Sequence, residues 1–289
     1  MTADAGAAAP RTVKALQSAV AAAARAHGTT VKRTQSLVGN VVVAQVLPDA
    51  AVKGGTGLKL RFGERLTRDT PDLDAAFRGD RERFIADFTA NLTTGWGGFT
   101  GRCIPGEQRA PGDLLDRVGA AYVMQPIAVK LSYMGKPFMT VDLELGHDEL
   151  EATTREPDEL ELSDEVRDLF AELDLPAPAP VRVLPLHHQI SQKIHACSEP
   201  GSARAHDLVD LQLMRPHADQ RKVAETCVRL FAYRGSHAWP PQVVASDGWS
   251  VRYDDAAEGL GVLALGDAVA WVNAWIEELV ILAPREYTA

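Results

Sequence analysis

The sequence predicts an α/β (α+β) fold in which strands and helices mix in the first part and helices predominate in the second. Two runs rich in β-branched and aromatic residues, 122–134 and 137–146, are separated by a short turn typical of a β-hairpin. Segments with helical spacing precede these runs, and further helical segments follow residue 181. The 289-residue chain is long enough for two domains. We place the boundary at the stiff PAPAPV linker, giving domains at 1–175 and 181–289.

The individual elements follow from local patterns. Residues 11–27 are rich in Ala and predict a helix that Gly28 ends. Residues 34–46 predict a second helix, although their Val run is also compatible with a strand. The segment LKLRFG, at 58–63, alternates apolar and basic residues and predicts an edge strand. Helical spacing predicts further helices at 77–92, 185–198, 205–214, 218–233 and 267–282.

Acidity is concentrated in one segment. The net charge is -9, but residues 148–174 hold twelve Asp and Glu against two Arg, which leaves +1 for the rest. We expect this acidic segment to be a solvated surface, so that a basic face is free to bind a polyanion elsewhere. The candidate contacts on that face are Lys59, Arg61, Arg65, Arg68, Lys130 and Lys136.

Cysteine spacing and hydropathy indicate the compartment. Cys103, Cys197 and Cys227 are widely spaced and form neither a disulfide framework nor a CxxC metal site, which favours a reducing cytoplasm. No run approaches the roughly 18 apolar residues of a membrane span. The sequence therefore predicts a cytoplasmic protein without a membrane partner.

The window at 52–77, VKGGTGLKLRFGERLTRDTPDLDAAF, carries the strongest chemical pattern. Gly54 and Gly55 allow the backbone to approach a phosphate closely, and Lys53 and Thr56 flank them. Asp72 and Asp74 are two residues apart, so on a strand they project from the same face. Because adjacent carboxylates repel each other without a cation, the pair predicts a site for Mg²⁺, with Mn²⁺ as an alternative.

A third carboxylate is expected from the strand at 137–146. Asp142 and Glu144 share one face of that strand, and we favour Asp142 as the third metal ligand, with Glu144 as the alternative. A solvent-facing edge strand would explain both acids without a metal. The glycine pair also does not form a P-loop, because the GxxxxGK[ST] spacing is absent.

Three blocks of this sequence resemble the nucleotidyltransferase toxins of the AbiEii/MenT type. The first is the 52–74 window, the second is QISQKIHACSEPGSARAHDLVDLQL at 189–213, and the third, looser block is FAYRGSHAWPP at 231–241. The family usually has [ST]xDxD, whereas here Thr67, Arg68 and Asp69 are followed by Thr-Pro before Asp72. Either Asp69 or Asp72 could be the first acid. We choose Asp72, which keeps the strand spacing and leaves Pro71 at a strand's first residue.

The resemblance implies a mixed sheet with flanking helices that carries the GG and DxD residues, followed by a helical C-terminal region. It also implies transfer of a nucleotide from an NTP to an RNA acceptor, in several members of the family the 3′ end of tRNA, and an antitoxin encoded nearby. In its second block the family's Lys and Arg-x-x-Asp-x-x-Asp pattern falls on Lys193, Arg204, Asp207 and Asp210. These residues either bind the triphosphate and departing pyrophosphate or form an ion-pair network between helices.

The predicted site therefore has Asp72, Asp74, Asp142 and Lys193 as catalytic residues. The predicted nucleotide contacts are Lys53, Gly54, Gly55, Thr56, Arg65, Thr67, Lys193, Arg204, Asp207 and Asp210. Two alternative functions remain. One is transfer of a nucleotide to a small molecule such as an antibiotic, and the other is a relative that binds nucleotide without catalysis.

Overall fold

The computed structural model describes residues 9–107, 124–153, 158–160 and 162–283. Its helices are α1 (Val13–Ala26), α2 (Val31–Val46), α3 (Gly54–Phe62), α4 (Arg81–Thr94), α5 (Asp164–Glu172), α6 (Leu186–Ser198), α7 (His206–Met214), α8 (Gln220–Arg234), α9 (Trp249–Ala257) and α10 (Leu265–Leu282). Its strands are β1 (Ala50–Lys53), β2 (Leu73–Phe77), β3 (Phe99–Pro105), β4 (Gln125–Tyr133), β5 (Lys136–His147), β6 (Asp158–Leu160) and β7 (Val181–Val183). Tyr122 and Val123 of the predicted hairpin, and Arg155, Glu156 and Glu161 of the acidic segment, lie outside the described residues.

The described strands form one mixed sheet in the order β3-β4-β5-β2-β1-β7-β6. The central pair, β2 and β5, is parallel and places Asp74 opposite Glu144. β1 pairs antiparallel with β2 and parallel with β7, so the end of β1 at Lys53 lies beside Asp74. The α/β fold is thus confirmed, and the sheet brings the two acidic strands side by side.

The predicted β-hairpin is confirmed. β4 and β5 are antiparallel neighbours, and only Met134 and Gly135 separate them. Both residues have positive φ, 48° and 73°. A two-residue loop needs these angles if its backbone is to match the twist of the two strands it connects. The inner face of β5 is covered by α2, where a Cβ at Gly39 would lie 3.0 Å from Val141 Cγ2.

The prediction of an edge strand at 58–63 is wrong, because this segment belongs to α3. The misleading alternation has a physical origin. Residues two apart on a helix point in nearly opposite directions, and α3 is buried on two opposite sides. Leu60 enters the hydrophobic cluster of the sheet, while Leu58 enters the cluster formed by the C-terminal helices. The helix predicted at 77–92 begins only at Arg81, because Phe77 ends β2 and Asp80 caps α4.

Two hydrophobic clusters support the sheet and the C-terminal helices respectively. The C-terminal helices predicted from the sequence are present, with α9 as an addition that the sequence did not indicate. Strand β7 begins at Val181, the last residue of the PAPAPV linker, and pairs with β1 through Val52 and Val183. The division into two domains stays a proposal. Among the described residues no helix has the length and hydropathy to cross a membrane.

A buried ion cluster lies under α3. Lys59 is 1% exposed, and its Nζ lies 3.0 Å from Glu64 Oε1 and 3.5 Å from Asp69 Oδ1. Arg33 also pairs with Glu64 and donates to the carbonyl of Thr67 at 2.7 Å. Lys59 is therefore a structural residue, and its assignment to an RNA-binding face is wrong.

The substitution Lys59→Met is expected to lower the free energy of unfolding by about 1–3 kcal/mol, because it removes a charged donor from the buried Glu64 carboxylate. Chemical denaturation measures this loss. Unchanged stability together with weaker RNA binding would contradict the structural role.

Candidate functional site

The turn between β1 and α3 positions the N-terminus of a helix beside a carboxylate. Gly54 begins α3 with φ 65°, and a Cβ atom there would overlap the carboxylate of Asp74. At Gly55, a Cβ would lie 2.7 Å from Thr70 Cγ2. Glycine is thus required at position 54 for the positive φ and the contact with Asp74, and at position 55 for the close approach to Thr70. The start of a helix offers backbone N–H groups and a positive dipole end, which suit a phosphate.

Four carboxylates lie along β2 and β5. Asp74 is in β2 and pairs in register with Glu144, while Asp72 directly precedes β2 and Asp142 lies two residues before Glu144 in β5. Desolvation, followed by repulsion from Asp74 and Asp142, raises the pKa of Asp72 above its ordinary value. The three predicted metal ligands are therefore close enough for their charges to interact.

The carboxylates along β2 and β5 are chemically suited to a divalent metal ion. Carboxylate oxygens are the ligands that Mg²⁺ prefers, and the mutual repulsion at Asp72 is the kind that a cation relieves. Within the described ranges, however, no group of three Asp, Glu, His or Cys side chains is arranged to hold a metal ion. Although part of the Asp72 carboxylate is shielded from water, Asp72 and Asp142 both keep enough exposed surface for their side chains to turn. The donor chemistry fits a divalent cation, which Asp72, Asp74 and Asp142 would hold.

The two alternatives for the first acid have different surroundings. Asp69 is 63% exposed and its carboxylate lies near Lys59 and Arg33. Asp72 lies instead beside Asp74, and its backbone carbonyl accepts a hydrogen bond of 2.7 Å from the hydroxyl of Thr56. The choice between Asp142 and Glu144 is more even, because each is near one member of the Asp72 and Asp74 pair.

Three of the predicted phosphate contacts have other partners. Thr56 is fully buried and holds the carbonyl of Asp72, and Thr67 is buried and donates to the carbonyl of Gly63 at 2.9 Å. Arg65 pairs with Glu165 at 3.1 Å and is 70% exposed. These positions argue against direct contact with a nucleotide. Thr56 instead supports the site by fixing the backbone at Asp72.

A cleft of about 400 Å³ opens between the sheet edge and α6. Its sheet side is formed by Lys53, Gly54, Asp74 and Glu144. Its helical side includes Gln189, Gln192 and Lys193 from α6, with Arg204 and Arg234 at other points of the wall. The cleft thus combines the start of α3, two of the carboxylates and several cationic side chains, which is a suitable composition for a triphosphate.

Lys193 is held by two aspartates. Its Nζ lies 2.7 Å from Asp207 Oδ1 and 2.7 Å from Asp210 Oδ2, and both aspartates are fully buried. Arg204 donates to Asp207 at 2.8 Å, and Arg68 donates to Asp210 at 3.0 Å. Burial alone would raise the pKa of Asp207, but attraction to Lys193 and Arg204 outweighs it and lowers that pKa. The predicted ion-pair network between helices is therefore present, and Lys193 also lines the cleft.

Lys53 differs from Lys193 in its contacts. Within the part of the chain that the structure describes, its side chain forms no ion pair or hydrogen bond. It lies at the N-terminus of α3 and lines the cleft with Gly54 and Asp74. Its ammonium group would lie 3.4 Å from a Cβ at Gly146 of β5. Among the described residues Lys53 thus has no acidic partner, whereas Lys193 lines the same cleft with two.

Sequence reasoning missed several residues of the cleft. Glu149 was assigned to the solvated acidic segment, but it is buried and its carboxylate accepts hydrogen bonds from Arg234 at 2.8 Å and Gln192 at 2.7 Å. Gln189 is 1% exposed and donates to the carbonyl of Leu184, while its Oε1 has no hydrogen-bond partner among the described residues. The available signals were the second block at 189–213, which contains Gln189 and Gln192, and the third block at 231–241, which contains Arg234.

Comparison with known proteins identifies the family. The profile of the family described as "Nucleotidyl transferase AbiEii toxin, Type IV TA system" matches residues 36–272. No curated protein matches the chain. Among solved structures, MenT4, a nucleotidyltransferase toxin from Mycobacterium tuberculosis H37Rv, is similar with TM-score 0.49 and 16% identity, over 93% of this chain and 99% of that one. JHP933 from Helicobacter pylori is similar with TM-score 0.41 and 14% identity, over 84% and 88% of the two chains.

The family profile covers most of the chain. It spans the turn at Gly54, the acidic strands, the network at Lys193 and the Arg234 segment. The chain belongs to the AbiEii family of nucleotidyltransferase toxins from type IV toxin–antitoxin systems.

Proposed function

We propose that this protein transfers a nucleotide from an NTP to an RNA acceptor, the 3′ end of tRNA, in a reaction that depends on Mg²⁺. One observation supports this most directly. A single cleft joins the N-terminus of α3 and Lys53, which has no ion pair within the described part of the chain, to the Asp74 carboxylate, with Asp72 adjacent. Such a cleft offers one place for phosphates and, directly beside it, one for a hard cation.

The nucleotide is proposed to bind with its triphosphate at Gly54 and Gly55. Lys53 and the exposed part of Arg204 supply the positive charge, and Arg204 is half exposed at the cleft wall. Lys193 also faces this cleft from a fixed position between Asp207 and Asp210. We assign it to the negative charge that develops on the departing pyrophosphate.

The acceptor is proposed to approach from the other side of the carboxylates. A second hollow of about 690 Å³ is lined by Asp72, Asp142 and Glu144, together with Ile104 and Ile127. Glu144 lines both this hollow and the nucleotide cleft. The acidic residues therefore lie where the two substrates would meet.

The chemical step forms a bond between an acceptor hydroxyl oxygen and the α-phosphorus and breaks the bond from that phosphorus to the β-phosphate oxygen. Asp142 is proposed to help hold the metal or to take the proton of the hydroxyl. When bound by Asp72, Asp74 and Asp142, Mg²⁺ or Mn²⁺ would offset phosphate charge and favour the ionised hydroxyl. Modification of tRNA would inhibit growth, and a cognate antitoxin encoded nearby is the expected partner.

The substitution Asp74→Asn, or Asp72→Asn, is expected to lower transfer at least about 100-fold, because loss of a metal ligand removes several kcal/mol of charge stabilisation. The assay follows labelled NTP onto bulk tRNA with Mg²⁺ present, and the melting temperature checks the fold. The control is Asp87→Asn, the same change at a carboxylate of α4 that is 60% exposed and lines neither the cleft nor the second hollow.

Turnover near that of the wild type in both site variants would refute the assignment of these carboxylates. Label that enters only a small-molecule fraction, with none on RNA, would refute the RNA acceptor instead. Nucleotide binding without any transfer would identify a non-catalytic relative.

Lys53 and Lys193 are expected to respond differently to replacement by Met. Lys53→Met should raise the KM for NTP about tenfold with an unchanged melting temperature, since only the contact to the nucleotide is lost. Lys193→Met should lower both kcat and the melting temperature, because two fully buried aspartates lose a charged donor. An unchanged KM in Lys53→Met would mean that the triphosphate does not lie at the start of α3.

A further inference from the structure

One face of the β3-β4-β5 part of the sheet continues from the carboxylates as an open surface. Ile104, Ala128 and Asp142 form one cross-strand row, and Arg102, Lys130 and Thr140 form the next. Alternate residues of a strand share a face, so the two rows lie side by side on the same side of the sheet. The row at Asp142 belongs to the proposed active site, and the row at Lys130 lies just outside it.

This face is exposed, whereas the opposite face belongs to the core. Arg102, Lys130 and Thr140 are exposed, while Val129 and Val141, which point the other way, are at most 1% exposed. A hollow of about 590 Å³ contains the Arg102 and Lys130 row. Among the described residues, the face is therefore open to a ligand at the Asp142 row and at the Arg102 and Lys130 row.

Arg102 and Lys130 are direct partners in the antiparallel register of β3 and β4. Like charges in directly opposite positions destabilise a sheet, so this pair does not contribute to folding. Within the described residues neither side chain forms an ion pair or a hydrogen bond. Two unpaired cations side by side on an open surface form a site that fits an anion.

We propose that Arg102 and Lys130 bind the phosphodiester backbone of the acceptor RNA immediately before its 3′-terminal nucleotide. This inference rests on the proposed function. Neighbouring rows on one face are about 7 Å apart along the strands, a span comparable to one nucleotide. A terminal hydroxyl at Asp72 and Asp142 would therefore place the preceding phosphate at the basic pair. Ile104, which is 41% exposed, offers an apolar surface for the terminal base.

Charge also determines which substrate fits this surface. The triphosphate has its own cations at Lys53 and Arg204 in the other cleft. The hollow at Asp142 contains Asp72, Glu107 and Glu144, and among the described residues no Lys or Arg lines it. The 3′ end of an RNA strand has a neutral hydroxyl at its terminus and its nearest negative phosphate one nucleotide earlier. This distribution of charge suits a surface that is acidic beside Asp142 and basic at the neighbouring row of Arg102 and Lys130.

The test is the double variant Arg102→Gln, Lys130→Gln, with Arg221→Gln, Lys222→Gln on α8 as a control with the same charge change. Binding of bulk tRNA is measured across a salt series. Loss of the two cations that contact this phosphate should weaken binding about tenfold near 0.1 M salt and reduce the slope of log K against log salt concentration by about 0.7. The KM for NTP should not change. The melting temperature should stay equal or rise, because a repulsive pair has been removed.

The control variant is expected to bind tRNA like the wild type. If wild type binds and modifies tRNA while the double variant keeps the same affinity and salt slope, the inference is overturned and the proposed function stands. If wild type transfers nucleotide only to a small molecule, both are overturned. Each single variant should show about half the change in slope, which provides a second measure should the double variant fold poorly.

Discussion

The parallel pairing of β2 with β5 is the constraint on which the proposed site depends. It places Asp74 opposite Glu144 and brings Asp72 near Asp142, so that four carboxylates meet at one edge. Concentrated negative charge costs stability unless something offsets it. The start of α3, with its dipole and Lys53, lies directly against this edge because Gly54 permits contact with Asp74. The turn at Gly54 thus brings the positive charge of Lys53 and of the helix start against the negative charge of the carboxylates.

A second ion network fixes the opposite wall of the cleft. Arg68 comes from the segment before β2, and its partner Asp210 lies in α7, so this pair connects the sheet to the C-terminal helices. The same aspartate holds Lys193 of α6. Because these aspartates are fully buried, removing one partner leaves a poorly compensated charge, which favours a single arrangement. The width of the cleft between sheet and α6 is therefore set by ion pairs as well as by packing around α3.

Patterns local in the sequence predicted much of this architecture. The hairpin at 134–135 and the helices α1, α2, α6, α7, α8 and α10 followed from spacing and turn chemistry. The strand predicted at 137–146, which carries Asp142, lies beside the strand that Asp72 precedes. Helix α3 could not be predicted, since burial on two opposite sides gives a short helix the alternation of a strand.

What the sequence could not show depends on long-range register and burial. Lys59 looks like any surface lysine until its pairing with Glu64 is known. The sequence gives no signal at Arg102, because Lys130 is distant in the chain and becomes its neighbour only through the β3 and β4 register. Glu149 lies in an acidic segment that the sequence predicts to be solvated. Its burial against Arg234 depends on how α8 packs on α6. Each omission concerns a contact between elements rather than the nature of a residue.

The most direct test of the central claim is a crystal structure with an α,β-methylene NTP analogue and Mn²⁺, located by anomalous scattering. The account predicts an anomalous peak bound by Asp72 and Asp74, with the triphosphate at the N-terminus of α3 beside Lys53. Nucleotide bound elsewhere, or a metal that does not contact either aspartate, would contradict it.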